Sequence, residues 1–520
     1  MIKKPFYITT TLPYVNADPH IGHAMEFVRA DVIARYQRSV LGAENVFFNT
    51  GTDEHGQKIY ESAQKENMST QDYTDKYSAR FREFHSLCNI SYDAFIRTTD
   101  AKHVIAAQNM WSICYANGDI YKAKQSIKYC VGCEMEKTDS ELVDDKCPDH
   151  PNGELTISEE ENYFFRFSKY QNALLELYKN TNHGTGLVKP DYRQKEIKNF
   201  VDGGLHDFSV SRLKSKMPWG VALPMGSCDL GDESRHVMYV WFDALTSYIS
   251  TLGWGSADDN NFKRFWLQQG EIDRKVMQYC GKDNNKSQSA IWQAMLLSAG
   301  IPPTTIININ GHIISGGVKM SKSIGNVISP FNVIELYKDK EIDGVKYGTE
   351  YPEEVLRFIL CHEVSTYEDS DVTMDSIHGA YTAYLQNGIG NQVNRILKLS
   401  SLYLDADDIK QILETAEQGK LSDEYTSYLD EFKINEAIHL VTTKVKALDE
   451  YIQSTEPFKL VKSMDENDKD KAKEIIKQSV LNLCEIGHHL YFFMPRTSIA
   501  IYNFIKENKM PEKPLFGRVN

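Results

Sequence analysis

Apolar residues near the start of the chain change their spacing from that of a strand to that of a helix. Residues 6–12 are mostly β-branched or aromatic, as in a buried strand. From Ile21 onwards apolar side chains recur every three or four residues, and Gly42 is placed to end the helix. Asp18 followed by Pro19 is typical of an N-cap with proline in the first turn. The pattern predicts a strand, a sharp junction and a helix with one apolar face.

The residues after this helix repeat the order of strand and helix. Residues 44–50 are typical of a second strand, and residues 51–56 form a loop that leads into another helix. Strand, helix and strand in this order predict a right-handed parallel βαβ unit. Because ligands bind beyond the carboxyl ends of such strands, we expect the loops at 12–23 and 51–55 to face one crevice.

After residue 381 the strand pattern ends. Helices separated by short polar loops predict a bundle. Asn391 and Arg395 are four residues apart and share one helix face. Pro457 begins a further helix, with Phe458 expected at the surface.

Composition narrows the class of protein. With 520 residues the chain has room for about three domains, and 41% hydrophobic and 25% charged residues are ordinary for a soluble protein. No segment has the length of a membrane span and no signal peptide precedes the first strand, so a cytoplasmic protein is expected. A net charge of -14 argues against diffuse coating of nucleic acid, although a local basic surface could still dock a structured RNA.

The junction before the first helix carries the first chemical signal, His20-Ile21-Gly22-His23. Unpaired backbone N–H groups and the helix dipole attract anions to a helix N-terminus. Two imidazoles and a glycine at this place predict an anion site, and phosphate is the natural ligand.

A cysteine cluster carries the second signal. Cys130-x2-Cys133 and Cys147-x2-His150 supply four ligands in two tight pairs, the usual arrangement of a closed tetrahedral zinc site. A structural role is favoured, since catalytic zinc keeps one position open for water. The other six cysteines are scattered and are expected to be buried thiols.

Two further stretches have both a chemical and a structural interpretation. In residues 311–323, glycines precede Lys319 and Lys322, which suits a loop that closes over a polyphosphate; a solvated basic loop is the alternative. Trp241, Ala244 and Tyr248 share a helical face with Leu245, and core packing is the alternative to a ligand pocket.

Taken together, these motifs resemble the class I aminoacyl-tRNA synthetases, and more narrowly the methionyl-tRNA synthetase family of bacterial or organellar type. The first motif alone is also found in nucleotidylyltransferases, but its combination with the lysine motif far downstream is specific. The resemblance rests on Leu12-Pro13-Tyr14, His20-Ile21-Gly22-His23, the Cys3His set, Trp241-Phe242-Asp243-Ala244, Gly281-Lys282-Asp283 and Lys319-Met320-Ser321-Lys322-Ser323.

The resemblance implies an α/β fold class: a Rossmann-type parallel-sheet catalytic domain with a zinc-bearing insertion, followed by an α-helical anticodon-binding bundle. It implies five segments: the first catalytic half at 1–115, the insertion with its zinc knuckle at 116–210, the second catalytic half at 211–317, the KMSKS loop and stem-contact segment at 318–375, and the anticodon-binding domain at 376–520.

It also implies the activity of a methionine–tRNA ligase, which joins L-methionine to tRNA(Met) through methionyl-adenylate for translation initiation and elongation. The expected cofactors are one structural Zn²⁺ per chain and Mg²⁺ with ATP. The implied residues are His20, His23, Lys319 and Lys322 for catalysis; His20, Gly22, His23, Asp283 and Lys322 for ATP; Leu12, Tyr14, Asp53, Trp241, Ala244, Tyr248 and Gln288 for methionine; Asn391, Arg395 and Phe458 for the anticodon; and Cys130, Cys133, Cys147 and His150 for the metal.

This sequence departs from the family pattern at two positions. Gln288 stands where a pocket histidine is more usual, and Phe458 stands where a tryptophan usually stacks on an anticodon base. Phenylalanine can still stack, with less area, so anticodon reading is expected to persist. No appended domain follows the bundle, which favours a monomer, and no contact with a membrane is expected. A nucleotidylyltransferase and a non-catalytic RNA-binding paralogue are the competing hypotheses.

Overall fold

The computed structural model describes residues 4–133, 135–137, 142–148, 153, 155–179, 186–267, 274–320, 325–342, 345–418 and 421–519. They form two compact units, each of which is described by itself. The first unit takes its described residues from Met1–Asp18, Gln37–Glu83 and Ser91–Asn310. The second unit takes them from Pro19–Tyr36, Phe84–Ile90 and Gly311–Asn520.

The first unit is built on a parallel sheet. The strands of this unit are β1 (Phe6–Thr10), β2 (Val46–Thr52), β3 (Ala94–Arg97), β4 (Ile120–Cys130), β5 (Met135–Glu136), β6 (Leu155–Phe165), β7 (Val188–Lys189), β8 (Phe208–Ser209), β9 (Ser211–Leu213), β10 (His236–Met238), β11 (Lys275–Gly281) and β12 (Ile306–Asn310). Six of them form the parallel sheet in the order β3-β2-β1-β11-β12-β7. The predicted parallel βαβ fold is confirmed.

Burial explains why β1 lies at the centre of this sheet. All five of its residues are buried, and Tyr7 pairs in register with Phe47 on one side and Val276 on the other. A strand that is buried on both faces needs apolar or internally bonded side chains at every position. The threonines of β1 meet this need, since Thr9 Oγ1 accepts from Asn49 Nδ2 at 3.0 Å and Thr10 Oγ1 donates to Thr50 at 3.1 Å.

A long antiparallel hairpin lies between β3 and β7 along the chain. β4 and β6 pair along their whole length, from Ile120 opposite Phe165 to Cys130 opposite Leu155. With β5 and β8 they form a four-stranded sheet. The cysteine cluster therefore lies at the far end of a long hairpin, away from the end that joins the parallel sheet.

The helices up to residue 310 alternate with these strands along the chain. They are α1 (Ile21–Leu41), α2 (Gln57–Lys65), α3 (Thr70–Leu87), α4 (Ala101–Ala116), α5 (Gln171–Lys179), α6 (Asp191–Asp202), α7 (Asp232–Arg235), α8 (Val240–Leu245), α9 (Ser247–Ser250), α10 (Asn260–Phe265) and α11 (Trp292–Ser298). A π-helical turn at Ser287–Ile291 precedes α11, and a second π-helical segment at Tyr381–Gly390 precedes the later residues 391–403. Such turns interrupt regular helices frequently at functional sites.

The second unit is mainly helical. Its helices after residue 310 are α12 (Pro330–Tyr337), α13 (Pro352–His362), α14 (Met374–Ala380), α15 (Asn391–Tyr403), α16 (Ala406–Gln418), α17 (Asp423–Asp430), α18 (Ile434–Thr455), α19 (Pro457–Leu460), α20 (Glu466–Leu490) and α21 (Pro495–Glu507). Its short strands are β13 (Ile313–Ser315), β14 (Val318–Lys319), β15 (Lys340–Ile342), β16 (Val345–Tyr347) and β17 (Ser370–Asp371). Among the described residues beyond 381 no strand occurs, as predicted for the bundle.

Buried arginines hold the first part of α1 within the second unit. Arg357 on α13 binds the Asp31 carboxylate on α1 at 2.8 Å and donates to the Phe493 carbonyl at 2.7 Å. Arg29 on α1 donates to the Leu360 carbonyl, near the end of α13, at 3.0 Å. Both guanidinium groups are fully buried, so each must find acceptors inside the protein. These contacts fix α1 against α13.

Among the described helices, none combines the length and apolar character needed to cross a membrane.

Candidate active site

In the first unit, two loops meet beyond the carboxyl ends of neighbouring parallel strands. Tyr14 follows β1 and Asp53 follows β2, and the two residues form a parallel bridge. The Asp53 N–H donates to the Pro13 carbonyl at 2.9 Å, and the Val15 N–H donates to the Asp53 carbonyl at 3.2 Å. Leu12 precedes this bridge. The first part of the predicted loop at 12–23 therefore meets the loop at 51–55 at one edge of the sheet, and a shared crevice stays a prediction.

Glu54 anchors the second of these loops. Its carboxylate is fully buried and accepts from the Arg97 guanidinium at 2.7 and 2.8 Å. The hydroxyls of Thr52 and Thr99 donate to the same carboxylate at 2.7 and 2.6 Å. A bidentate, charge-assisted pair with two further donors is a strong and geometrically specific contact. It holds the backbone of Asp53 in place.

Asp243 joins this loop to α8. Its buried carboxylate accepts from His55 Nδ1 at 2.6 Å and from His103 Nε2 at 2.7 Å, and His103 Nδ1 lies 2.9 Å from the Ser250 hydroxyl. Burial alone would raise the pKa of Asp243, but the two imidazoles outweigh it and lower that pKa to about 2. The carboxylate is therefore ionised at neutral pH and can only accept hydrogen bonds.

Helices α8 and α9 present the predicted aromatic stripe. Ala244 and Tyr248 are almost fully buried, and Trp241 is partly buried. Trp241 and Tyr14 each pack against the same small apolar cluster. That cluster consists of Tyr129, Phe164, Tyr239 and Val240. The stripe therefore packs in the core and also adjoins the loop that carries Tyr14.

Gln288 lies in the π-helical turn and is fully buried. Its Nε2 donates to the Tyr248 hydroxyl at 2.6 Å. Tyr7 on β1 donates to the carbonyl of Tyr248 at 2.7 Å. Gln288 is therefore bonded directly to one of the aromatic residues predicted to bind methionine. Asp283, the predicted ribose contact, is exposed just beyond the carboxyl end of β11.

In the second unit, the N-terminus of α1 differs from its prediction. The helix begins at Ile21 rather than after Asp18, because the imidazole of His20 caps it: His20 Nδ1 accepts from the Gly22 N–H at 3.1 Å. The His20 N–H donates in turn to His23 Nδ1 at 3.3 Å. The two rings stack with their centroids 3.7 Å apart.

Backbone donors fix the tautomers of these two rings. A nitrogen that accepts a hydrogen bond carries no proton, so in the neutral rings of His20 and His23 the hydrogen sits on Nε2. Burial, together with the neighbouring His20, holds the pKa of His23 well below its usual value. His23 is therefore a neutral Nε2–H donor at pH 7.

Gly22 is required by the close approach of the His20 ring. A Cβ atom on Gly22 would lie 2.9 Å from His20 Cε1, a distance that real Cβ contacts do not show. The same position is 4.0 Å from the methyl carbon of Met320. The histidine motif and the start of the lysine motif are thus neighbours within the second unit.

The glycines before the lysine motif form a tight hairpin turn. Gly316 and Gly317 connect β13 to β14 with φ of +67° and +76°, which suits a two-residue hairpin turn. Their N–H groups donate to the Asp371 carboxylate at 2.8 and 2.9 Å. These two glycines therefore serve the backbone conformation of the turn. Lys319 ends β14, and Lys322 lies outside the described residues.

The predicted anticodon residues lie in the helical part of the second unit. Asn391 begins α15 and is exposed, and Arg395 on the same helix pairs with the Asp449 carboxylate. Phe458 lies in the short helix α19, after Pro457, and its exposed fraction is 38%. Arg395 and Phe458 thus present polar and aromatic groups near the surface.

The cysteine cluster is assembled as expected for a metal site. The Sγ atoms of Cys130, Cys133 and Cys147 all lie within 4.8 Å of one another, and those of Cys133 and Cys147 are 3.4 Å apart. Thiolates around a tetrahedral zinc, with bonds of about 2.3 Å, stand roughly 3.8 Å apart. His150, the fourth predicted ligand, lies outside the described residues.

A parallel sheet with loops that meet at its carboxyl edge, a histidine motif capping α1 and a neighbouring lysine motif are the features expected of a class I aminoacyl-tRNA synthetase. The family model described as "tRNA synthetases class I (M)" matches residues 6–155 and 151–397. The methionine–tRNA ligase of Fusobacterium nucleatum is 34% identical over 519 residues, covering 96% of this chain and 74% of the relative. That of Synechocystis is 33% identical over 508 residues, covering 96% and 88%.

Solved structures agree. The methionyl-tRNA synthetase of Mycobacterium tuberculosis in complex with methionyl-adenylate is 30% identical, with a TM-score of 0.85 over 99% of this chain and 100% of that one. The chain belongs to the methionyl-tRNA synthetase family of class I enzymes.

Sequence reasoning missed the residues that hold the site together. Glu54, His55 and Asp243 stand within the quoted motifs or beside them, but their partners Arg97 and His103 are remote in sequence. A carboxylate next to predicted pocket residues could have prompted a search for donors elsewhere in the sequence. A buried carboxylate needs hydrogen-bond donors, and here they are Arg97 and His103.

Proposed function

We propose that this methionine–tRNA ligase forms methionyl-adenylate between the groups described above. As a family member, the chain joins L-methionine to tRNA(Met) at the expense of ATP. The methionine carboxylate attacks the α-phosphate of ATP, the bond to the leaving pyrophosphate breaks, and the tRNA terminus then displaces AMP from the adenylate. No protein nucleophile is needed.

ATP is assigned to His20, Gly22 and His23, with Lys319 and Lys322 on the phosphates and Asp283 at the ribose. The observation that carries this assignment is the pair of backbone bonds that leaves both imidazoles with Nε2–H donors. Preorganised donors stabilise charge that develops on phosphate oxygens and need no reorganisation during the reaction. Magnesium would bind together with ATP and neutralise negative charge on the leaving pyrophosphate.

Methionine is assigned to Leu12, Tyr14, Asp53, Trp241, Ala244, Tyr248 and Gln288. The Asp53 carboxylate would take the ammonium group, because its backbone is held between two loops and by the Glu54 anchor. Aromatic walls suit a polarizable thioether. Trp241 Nε1 is buried and has no hydrogen-bond acceptor among the described residues, which supports a ligand beside it.

Zinc is assigned to Cys130, Cys133, Cys147 and His150. The three described thiols converge within bonding range of one ion, and thiolates favour zinc among the common divalent metals. The ion would hold the end of the β4–β6 hairpin together and would have no role in the chemical step.

Anticodon reading is assigned to Asn391, Arg395 and Phe458. The side chains of Asn391 and Arg395 can bond to the edges of unstacked bases, and Phe458 can stack on one. The segments at 1–115, 116–210, 211–317, 318–375 and 376–520, a monomeric state and a cytoplasmic location remain part of this proposal.

The test is exchange of labelled pyrophosphate into ATP with each of the twenty amino acids in turn. Methionine should support exchange and the other amino acids should not. Greater exchange with leucine or cysteine would refute the substrate assignment. Exchange with methionine but no transfer to tRNA(Met) would refute the tRNA assignment alone.

A further inference from the structure

A carboxylate in the second unit binds the turn that precedes Lys319. Gly316 and Gly317 connect β13 to β14, and each donates its N–H to one oxygen of Asp371, Gly316 to Oδ1 at 2.8 Å and Gly317 to Oδ2 at 2.9 Å. Asp371 is exposed and lies in β17. Two backbone donors on the two oxygens of one carboxylate make a charge-assisted contact with a defined geometry.

The turn offers these two donors because of its conformation. In a two-residue hairpin whose central residues both have positive φ, the pairing of the flanking residues closes the ladder. Here the flanking residues are Ser315 and Val318, which are paired. The N–H groups of the two central glycines lie outside this ladder, so each needs an acceptor in water or elsewhere in the protein. The Asp371 carboxylate supplies one oxygen for each of them.

The order of the strands makes this contact important for β14. The sheet has the order β14-β13-β17, so β17 pairs with β13 while β14 lies on the other side of β13. The ladder between β13 and β14 has two pairs, the second of which joins Ile314 to Lys319. A hairpin is at best marginally stable by itself. The turn belongs to both strands of the hairpin, so Asp371 restrains β14 by binding the turn.

The segment that carries Asp371 also fixes the start of β13. Asp369 Oδ1 accepts from the His312 N–H at 3.0 Å, and the Ser370 N–H donates to the His312 carbonyl at 3.0 Å. β17 then continues as a parallel partner of β13. Since β13 and β17 are bonded to each other in this way, the carboxylate of Asp371 has a fixed support, and its contact with the turn sets the position of β14 relative to that support.

We propose that Asp371 is a positioning residue for adenylate formation, which fixes the turn between β13 and β14 and thereby the backbone at Lys319. The inference rests on the proposed function, in which Lys319 acts on the phosphates of ATP. Preorganised groups stabilise charge that develops on the phosphates, and a misplacement of about 1 Å can slow a reaction roughly a hundredfold. Asp371 acts through Lys319 and makes no contact with the substrates.

The proposal separates two steps of the reaction. Lys319 is needed while ATP loses pyrophosphate, whereas the transfer of methionine to tRNA(Met) takes place after the pyrophosphate has gone. A change at Asp371 should therefore slow the formation of adenylate and leave the transfer step unchanged. The KM for methionine should change less than kcat, because the residues assigned to methionine all lie in the first unit.

The experiment measures both steps in single turnovers with Asp371→Asn and Asp371→Ala. Asparagine keeps the size of the side chain but puts an NH₂ group in place of one oxygen, where it would face a backbone N–H. Both variants should form adenylate about tenfold more slowly than the wild type, and transfer from preformed adenylate to tRNA(Met) should be normal. Asp375→Asn, which alters an exposed carboxylate in the first turn of α14, is the matched control and should match the wild type in both steps.

A double variant tests whether Asp371 acts through Lys319. In the Lys319→Ala background, Asp371→Asn should cause no further loss in the rate of adenylate formation. Urea unfolding shows whether the variants are folded. Because Asp371 is exposed, its replacement should leave the midpoint of unfolding close to that of the wild type.

The outcomes separate the two proposals. A wild-type protein without methionine-dependent exchange refutes the proposed function. If the wild type is active, the role of Asp371 is refuted when Asp371→Asn behaves like the wild type, when it slows adenylate formation and transfer equally, or when its effect persists in the Lys319→Ala background.

Discussion

Replacing Asp243 with asparagine tests whether the buried carboxylate organises the candidate site. The pKa of Asp243 lies at about 2 instead of 3.8. A gap of nearly two pH units corresponds to about 2 kcal/mol in favour of the folded protein at neutral pH. Hydrogen-bond geometry leads to a similar value, since two charge-assisted bonds would be reduced to neutral ones and the new NH₂ group would face an imidazole N–H.

The sign of the pH dependence follows from the lowered pKa. A carboxylate with a depressed folded-state pKa contributes stability above its ordinary value, and this contribution is lost as the pH falls from about 4 to about 2. The Asp243→Asn variant lacks the contribution at every pH. Its deficit should therefore be about 2 kcal/mol at pH 7 and should disappear near pH 2.

The assay combines unfolding with kinetics. Urea unfolding at pH 7 and at pH 3 measures the deficit, and exchange kinetics measure the KM for methionine. Because His55 follows Asp53 by two residues, we expect this KM to rise more than kcat falls. Asp202→Asn, which alters an exposed carboxylate at the end of α6, is the control. An Asp243→Asn protein as stable as the wild type, or a deficit unchanged at pH 3, would refute the reasoning.

Three further substitutions test the other parts of the site. Gly22→Ala should slow pyrophosphate exchange roughly tenfold or more, because its Cβ would displace the His20 ring, and unchanged exchange would remove this ring from the ATP site. Cys147→Ser should lose the zinc, at about one ion per chain, that metal analysis should find in the wild type; a zinc-free active wild type would contradict this. Arg395→Gln should slow charging of tRNA(Met) about tenfold and leave pyrophosphate exchange unchanged, and an equal loss of both would exclude a role confined to the anticodon.

Each of these variants has a matched control in the chain. Gly379→Ala adds a Cβ where no atom lies within 4 Å. Cys484→Ser alters a buried thiol that is not part of the cysteine cluster. Lys398→Gln removes an exposed charge on the helix that also carries Arg395. All three should behave like the wild type in pyrophosphate exchange, metal analysis and charging of tRNA(Met).

The sequence predicted the fold well because the fold depends on local patterns. The strands predicted at residues 6–12 and 44–50 are buried segments bounded by clear breaks, and both occur in the parallel sheet. The predicted start of α1 was wrong because a histidine cap is rare, and Asp18 with Pro19 is a more familiar N-cap signal. Spacing alone does not show that an imidazole two residues later replaces the expected carboxylate.

The candidate site was predictable only as a set of motifs. The cysteine spacing identified three side chains that do converge, because a metal site imposes short spacings on its ligands. Interactions between residues far apart in the chain produce no characteristic spacing in the sequence. The pairs Asp243 with His103 and Gln278 with Gln288 depend on how strands and helices pack, and a single sequence holds no record of that packing.

Backbone groups set the polarity of polar side chains in each of the two units. An N–H group cannot become an acceptor, so the N–H groups of His20 and Gly22 determine which imidazole nitrogens keep their hydrogens. The Thr304 N–H fixes the amide of Gln293 in the same way, since Gln293 Oε1 accepts from it at 3.0 Å. Side chains held in this way keep a single orientation in the folded protein. Substitutions that preserve shape but reverse the polarity of a side chain should therefore impair the site more than substitutions that remove bulk at its edge.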